Sequence, residues 1–425
     1  MFCILNLSTS FLLGYYFRVI ALIYNSPRFT DSLNNSDSQR EERRLPTRSF
    51  RMANNLVVLN DSVVHELLIS LPKDGIIKFQ HALEDSLIEF TVGEESKYQP
   101  TPDFVNRPTG QKTLFRTFSS PDAVGTKIVV TPAPVKDADG KTVNPPLNGV
   151  LALCDASGRP TGLLNAGEVT GYRTTLCALI PWMWRRCTEE VVVFGAGKQG
   201  LWHTRLALAL RGDEIKNITI VNRSAARAQT LVEQVTEENQ KYWRSSATLN
   251  VLDPSQSDYE HRLEALLSTA DTVFCTVGST TPLFSLKSIL GEGSRNRLPF
   301  VGAIGSWQPD MIELDPEMLR YAASRDDSYS PHGAGGSILV DDLEECLVKS
   351  GEVIQSGLKA EKIMQVGEIL SWKREDKSTE SLESWLGEGF VVYKGIGVSV
   401  TDLAAGNAIL ELAKTRNVGV SIPNI

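Results

Sequence analysis

The sequence predicts an α/β protein: a central, doubly wound parallel sheet joined to a second domain of α+β type. The stretch Val191-Val192-Val193-Phe194 is a continuous apolar run, as a strand buried on both faces requires. Strand-like and helix-like segments alternate after it, which marks a parallel sheet with helical crossovers. The segments before it do not alternate and read as α+β.

Residues 1–52 read as a poorly ordered extension. Met1 to Tyr24 is apolar but diluted by Asn6, Ser8, Thr9 and Ser10 and interrupted by Arg18. It lacks the basic start and small-residue cleavage site of a signal peptide. A central arginine costs a membrane span about 2.5–3.5 kcal/mol, so no stable membrane association is expected. Residues 25–51 are polar and arginine-rich, as in a disordered linker.

A strand follows over Asn55–Asn60, then amphipathic helices over Ser62–Leu71 and Gly75–Glu89. Strands are predicted at Thr113–Phe118, Lys127–Thr131 and Gly149–Asp155. Glu168–Trp184 carries little charge and is predicted to be a buried helix. After the Val191 strand come a helix over Leu201–Leu210, strand Asn217–Val221 and a helix over Ala225–Asn239. Strand Thr248–Val251, a helix over Tyr259–Leu267, and strands Thr272–Val277, Phe300–Ile304 and Ile338–Val340 complete the alternation. Ser324–Ser337 reads as a surface loop, and the highly charged Trp372–Glu383 as an insertion.

Composition narrows the function. The 425 residues carry 43 Lys plus Arg against 51 Asp plus Glu, a net charge of −8, so nucleic acid is not an expected partner. Six scattered cysteines without a CxxC pair fit a reducing compartment, here the cytoplasm. No metal-ligand spacing is evident among the five histidines and these thiols.

The chemical signal is Gly195-Ala196-Gly197-Lys198-Gln199-Gly200, placed between a buried strand and a helix. This is the context a dinucleotide turn needs. The first glycine permits the tight turn, the second admits the pyrophosphate, and the third lets helix pack on strand. Free N–H groups at the helix start then hold the anion. The parallel domain is therefore expected to be a Rossmann domain. An NAD-type carboxylate is missing from the next strand end, which reads Val221-Asn222-Arg223-Ser224. Arg223 can pair with a 2′-phosphate, and Asn222 and Ser224 can add hydrogen bonds, so NADP is expected, with NAD possible. Thr276 and Gly305 stand at later strand ends, where small residues leave room for the nicotinamide.

Further segments combine with this motif. They are Gln99-Pro100 through Asn106-Arg107-Pro108, Gly125-Thr126-Lys127-Ile128-Val129, Glu168 to Thr174 with Tyr172-Arg173-Thr174, and Val392 to Gly397 with Asp402-Leu403-Ala404-Ala405. Together they resemble the ornithine cyclodeaminase/mu-crystallin family over most of residues 53–425. The resemblance implies a homodimer. It implies a substrate-binding and dimerisation domain over 53–187, a dinucleotide domain over 188–393, and a segment 394–425 returning to the first domain. It also implies a small amino, imino or keto acid as substrate, its carboxylate held by Arg107, Lys127 and Arg173. These residue types suit the task, because Arg offers a bidentate fork and Lys a point charge. Neighbouring cations would also lower the Lys127 pKa and let it exchange a proton.

One position departs from the family. Cyclodeaminases carry an aspartate after the Gly-Ala-hydrophobic-Gly strand end, to engage the substrate's distal amine. Gly302-Ala303-Ile304-Gly305-Ser306-Trp307 places Trp307 there. An indole accepts no hydrogen bond from an ammonium. The expectation is thus an NADP-dependent oxidoreductase acting on the C=N or C–N bond of a small carboxylate-bearing imine or amino acid. A cyclodeaminase recycling its own NAD(P), and a non-catalytic NADPH binder, are the alternatives.

Overall fold

The computed structural model describes residues 55–423 except 138, 139, 141, 144, 292–296 and 332–334. The predicted extension over 1–52 lies outside the described residues, as does part of the Ser324–Ser337 loop. The chain opens with β1 (Asn55–Leu59), α1 (Asp61–Ile69) and α2 (Lys73–Thr91). Asn60 caps α1 by accepting from the Val63 amide. Strands β2 (Asp103–Asn106), β3 (Lys112–Ser119) and β4 (Ala123–Thr131) form a meander. A short ladder of β5 (Val135–Lys136) and β6 (Thr142–Val143) precedes β7 (Asn148–Asp155) and β8 (Pro160–Asn165). The buried helix α3 (Ala166–Met183) follows, started by Asn165, whose side chain accepts from the Gly167 amide.

The parallel unit begins with β9 (Glu190–Phe194), α4 (Lys198–Arg211), β10 (Asn217–Val221) and α5 (Ala225–Lys241). It continues through β11 (Thr248–Leu252), α6 (Tyr259–Thr269), β12 (Thr272–Cys275), α7 (Leu286–Leu290), β13 (Phe300–Ala303) and α8 (Pro316–Ser324). Then come β14 (Ile338–Val340), α9 (Leu343–Lys349), α10 (Gly351–Ser356), β15 (Ile363–Gln365), α11 (Val366–Arg374), α12 (Glu380–Glu388) and β16 (Val391–Lys394). The chain closes with α13 (Ser399–Arg416) and β17 (Val420–Pro423).

Among the described residues, two large sheets result. The eight-stranded sheet has the order β11-β10-β9-β12-β13-β16-β14-β15 and is parallel throughout. Its order reverses beside β9, and the crevice at such a reversal is where α/β sheets bind ligands. The seven-stranded sheet has the order β17-β1-β8-β7-β4-β3-β2, so the last strand pairs with the first. Helix α13 packs on α2, and α3 on α4, which ties both sheets into one core.

The structure adds detail to two local readings. Trp372–Glu383, read as an insertion, spans the end of α11 and the start of α12. Leu382, Trp385 and Leu386 are buried, so the charges there are the outer faces of amphipathic helices. The sheet also contains β15 and β16, which extend the predicted strand series. β16 slots between β13 and β14, and all four of its residues are buried. No helix among the described residues is long and apolar enough to cross a membrane.

Candidate active site

The glycine turn leaves β9 at Gly195, whose φ of +111° favours glycine. A Cβ on Gly200 would collide with the Gly195 carbonyl oxygen, so the third glycine lets α4 start against the strand. A Cβ on Gly197 would meet no atom within 4 Å, so this face of the turn is open. Gly197 caps α4 without a side chain, leaving the first-turn N–H groups of α4 for an anion. Replacing Gly200 with Ala is expected to cost about 1–3 kcal/mol of stability by overpacking, read by urea denaturation, and to weaken dinucleotide binding.

The neighbouring residues divide into those that build the turn and those that are free. Asn222 Oδ1 accepts from the Ala196 amide at 3.2 Å and its Nδ2 donates to the Ser224 carbonyl at 2.9 Å. Ser224 caps α5, and Thr276 Oγ1 donates to the Phe194 carbonyl at 2.7 Å. Gln199 donates to the Thr170 carbonyl at 3.2 Å, pinning α4 to α3. Lys198, expected at the cofactor, instead places Nζ 2.6 Å from Glu168 Oε1 and 3.5 Å from Asp61 Oδ2. Burial pushes Glu168 up, but hydrogen bonds involving His65 and Lys198 outweigh it and hold the carboxyl at about 2. The Lys198 charge is therefore matched within the protein, while its backbone N–H remains at the helix start. Arg223 is exposed.

The cationic cluster forms across from this turn. Arg116 of β3 and Lys127 of β4 face each other in antiparallel register. Helix α3 adds Arg173, and α13 adds Asp402. Lys127 Nζ lies 2.8 Å from Asp402 Oδ1 and 2.7 Å from Oδ2, and Arg173 Nε donates to Oδ1 at 2.7 Å. Lys127 is 1% exposed, Arg173 3% and Asp402 0%, so one carboxylate is shared by two cations out of water. The Arg116 Nε is buried without a hydrogen-bond partner among the described residues. Burial first, then Arg173, push Lys127 well below the ordinary ammonium value, against the pull of Asp402. Burial works to raise Asp402, but Arg173, Lys127 and Arg116 overcome it and hold the carboxyl below its ordinary value.

Arg107 does not join them. It sits in the β2–β3 turn, exposed, its amide donating to the Gln111 carbonyl at 2.8 Å. Alternation decides the matter: Lys112, Leu114 and Arg116 share the face of β3 that lines the cavity. Arg107 lies beyond the strand end. Arg116, which the sequence reading did not single out, stands beside Lys127 where Arg107 was expected. Only the pairing register of β3 with β4, which the sequence alone does not give, marks it.

The cations line a cavity of about 340 Å³ that also reaches Gln199, Thr276, Gly305 and Tyr393. Trp307 forms part of the wall and stacks on Phe104, with centroids 5.4 Å apart. Asp341 accepts from the Ile396 and Gly397 amides at 2.9 and 2.7 Å, holding the β16 exit near Arg173. Beneath the strand ends, buried Glu313 accepts from the Val277, Gly305 and Ser306 amides at 2.8, 2.6 and 2.8 Å. Burial raises Glu313 to about 7, with Lys394 opposing and Glu352 reinforcing. Elsewhere, Cys187, Glu189 and Asp271 bring ligand-type atoms within 4.8 Å. Arg297 already pairs with both carboxylates, so the cluster is an ion-pair network.

Comparison with known proteins agrees with this geometry. The profile of the shikimate/quinate 5-dehydrogenase family matches residues 185–300, which run from before β9 to the start of β13. An uncharacterised cyclodeaminase of Dictyostelium discoideum is 26% identical over 394 residues, covering 86% of this chain and 99% of that protein. The mouse ketimine reductase mu-crystallin is 22% identical over 293 residues, covering 68% of this chain and 76% of that protein. The chain is thus similar, over most of its length, to proteins named cyclodeaminase and ketimine reductase mu-crystallin. The fold agrees: the Thermococcus litoralis Δ1-pyrroline-2-carboxylate reductase, solved with NADH and L-proline, superposes with a TM-score of 0.64. It is 16% identical and covers 86% of this chain and 100% of its own. The cavity lies between the sheet that carries the glycine turn and the sheet that carries Arg116 and Lys127.

Proposed function

We propose that this protein is an NADP-dependent oxidoreductase that reduces the C=N bond of a small carboxylate-bearing imine, or oxidises the matching amine. One observation carries the reading. Arg116, Lys127 and Arg173 share a cavity at the strand ends with the carboxylates of Asp402 and Asp341, so three cations face two acids. A substrate carboxylate supplies the missing negative charge, and buried charge-assisted hydrogen bonds hold it strongly. The Arg116 Nε, buried and without a hydrogen-bond partner among the described residues, is available to it. Held this way, the substrate has its imine carbon fixed in the cavity between Trp307 and the Thr276 and Gly305 strand ends.

The open glycine turn and the free α4 N–H groups fit a dinucleotide. A bound nicotinamide supplies the hydride. Arg223 at the end of β10 fits a 2′-phosphate, which favours NADP over NAD. Arg223→Asp is therefore expected to raise the NADPH Kd about 10- to 100-fold and to improve NADH binding, measured by fluorescence titration. Lys127, with its proton loosened by burial and by Arg173, is the group that can deliver a proton to the nascent amine nitrogen.

Trp307 favours reduction over cyclodeamination. It stands where a cyclodeaminase needs a carboxylate, and with Phe104 it offers a flat apolar wall to a ring. The described cysteines are free thiols, in keeping with a reducing cytoplasm. A homodimer is the assembly expected from the family. The test is NADPH oxidation with a panel of cyclic imine carboxylates. Ammonia release from ornithine or lysine without net cofactor change would favour the cyclodeaminase. Cofactor-dependent thermal stabilisation with no turnover would favour a binding protein.

A further inference from the structure

The cavity floor repeats every second residue, and its outer end takes no part in the reaction described above. On β3 and β4 the pairs Arg116 and Lys127, Leu114 and Val129, and Lys112 and Thr131 face each other in register. All of them line the cavity. Same-face neighbours on a strand lie about 6.6–6.8 Å apart, so the outer pair stands about 13 Å along the strand from the deep one. Phe104, opposite Leu114 on β2, widens the middle rung and stacks on Trp307. From the inside outwards the floor is therefore charged, apolar, then charged again.

The outer cation is unmatched. Lys112 Nζ donates to the neutral Gln308 side chain at 3.3 Å and, among the described residues, pairs with no carboxylate. Lys349 also stands near the Phe104 ring, 5.8 Å from its centroid, but Glu345 matches its charge. The mouth thus presents one ammonium and, across the strands, the Thr131 hydroxyl.

We infer that Lys112 and Thr131 form a distal subsite for a second carboxylate, so that the preferred substrate is the imine of an elongated 2-oxo dicarboxylic acid. The inference rests on the imine reading above. The first carboxylate sits at Arg116, Lys127 and Arg173, and the methylene chain lies over Leu114 and Val129 beside the aromatic wall. The second carboxylate meets Lys112. One ammonium and one hydroxyl suit the two oxygens of a carboxylate, whereas a phosphate monoester calls for more donors. A terminal ammonium meets a like charge. A terminal methyl leaves Lys112 unpaired.

Straight-chain 2-oxo acids of one length, ending in carboxylate, methyl or a trimethylated ammonium that cannot condense with the oxo carbon, provide the test. Each is supplied to the full chain with methylamine and NADPH. The amine condenses with the oxo carbon and releases water. The imine carbon then takes the hydride and the nitrogen takes a proton, leaving NADP⁺ and an N-methyl amino acid. The KM of the carboxylate-ended acid is expected to be about tenfold below that of the methyl-ended one. In Lys112→Gln that ratio falls towards one, and Lys112→Glu moves the preference to the ammonium-ended acid. Equal KM values in the unaltered protein, or a ratio that survives Lys112→Gln, overturn the inference. Thermal stabilisation by the corresponding 2-amino dicarboxylate separates the two levels of the claim. Lys112-dependent stabilisation without turnover of any oxo acid supports the subsite and defeats the imine reaction. Reduction of methyl-ended acids at equal efficiency supports the reaction and defeats the subsite.

Discussion

Arg116→Ala is expected to lower kcat/KM by about two to three orders of magnitude without destabilising the fold. The loss corresponds to about 3–4 kcal/mol, the cost of removing a charge-assisted bidentate contact from a water-poor site. Stability behaves differently because, among the described residues, Arg116 forms no ion pair and its Nε is buried without a partner. Burial acts most strongly against its charge and Arg173 adds to that, while Asp402, Asp341 and Glu345 act in its favour. These effects oppose one another, so the melting temperature should change little. Arg107→Ala is the control, and its exposed place in the β2–β3 turn predicts activity within about twofold of the unaltered protein. Steady-state kinetics and a melting curve on the two variants decide which arginine holds the carboxylate. A kinetic collapse in Arg107→Ala with none in Arg116→Ala would reverse the assignment.

The second large effect is structural. Asp402→Asn should cost about 3–5 kcal/mol of unfolding free energy, because it strands Lys127 and Arg173 without a counter-ion in the core. Urea denaturation reads it directly. Replacing Lys127 with Met in the same chain should recover part of the loss, and a double-mutant cycle measures how much. The pH dependence has a definite sign. Asp402 is held below its ordinary value of 3.8, so its stabilising contribution is complete above that pH and is lost as the pH falls through the folded value. Lys127 is held below 10.5, so between its folded value and 10.5 the unfolded chain binds more protons and stability rises with pH. Asp402→Asn should flatten the acid side of the profile.

The parts of this protein that could be read from its sequence are those governed by local pattern. The apolar run of β9, the glycine turn and the nearly charge-free α3 each follow from periodicity or steric need, and each stands where it was expected. The site residues that escaped depend on contacts remote in sequence. Arg107 and Arg116 are alike in composition, and only the pairing of β3 with β4 places one beside Lys127 and the other at a hairpin tip. Asp402 belongs to a motif visible in the sequence, but its role comes from the packing of α13 onto the first sheet. Lys198 sits inside the glycine motif, yet Glu168, on another helix, claims its ammonium. β16 is a run of four residues ending in Lys394, whose charge is met by Glu352 at 3.0 Å and Glu313 at 3.6 Å. Short apolar runs with a terminal charge carry little periodic signal.

The shared counter-ion also sets a timetable for biosynthesis. Asp402 lies 275 residues after Lys127 and 229 after Arg173. At translation speeds of about 5–20 residues per second, the ribosome makes the ammonium roughly 15–55 s before its acid. Through that interval the nascent chain gains nothing by enclosing Lys127, and the β1 edge waits longer still for β17. The half of the protein that is translated first is therefore the last to be sealed, and truncated translation products will expose it to chaperones and proteases.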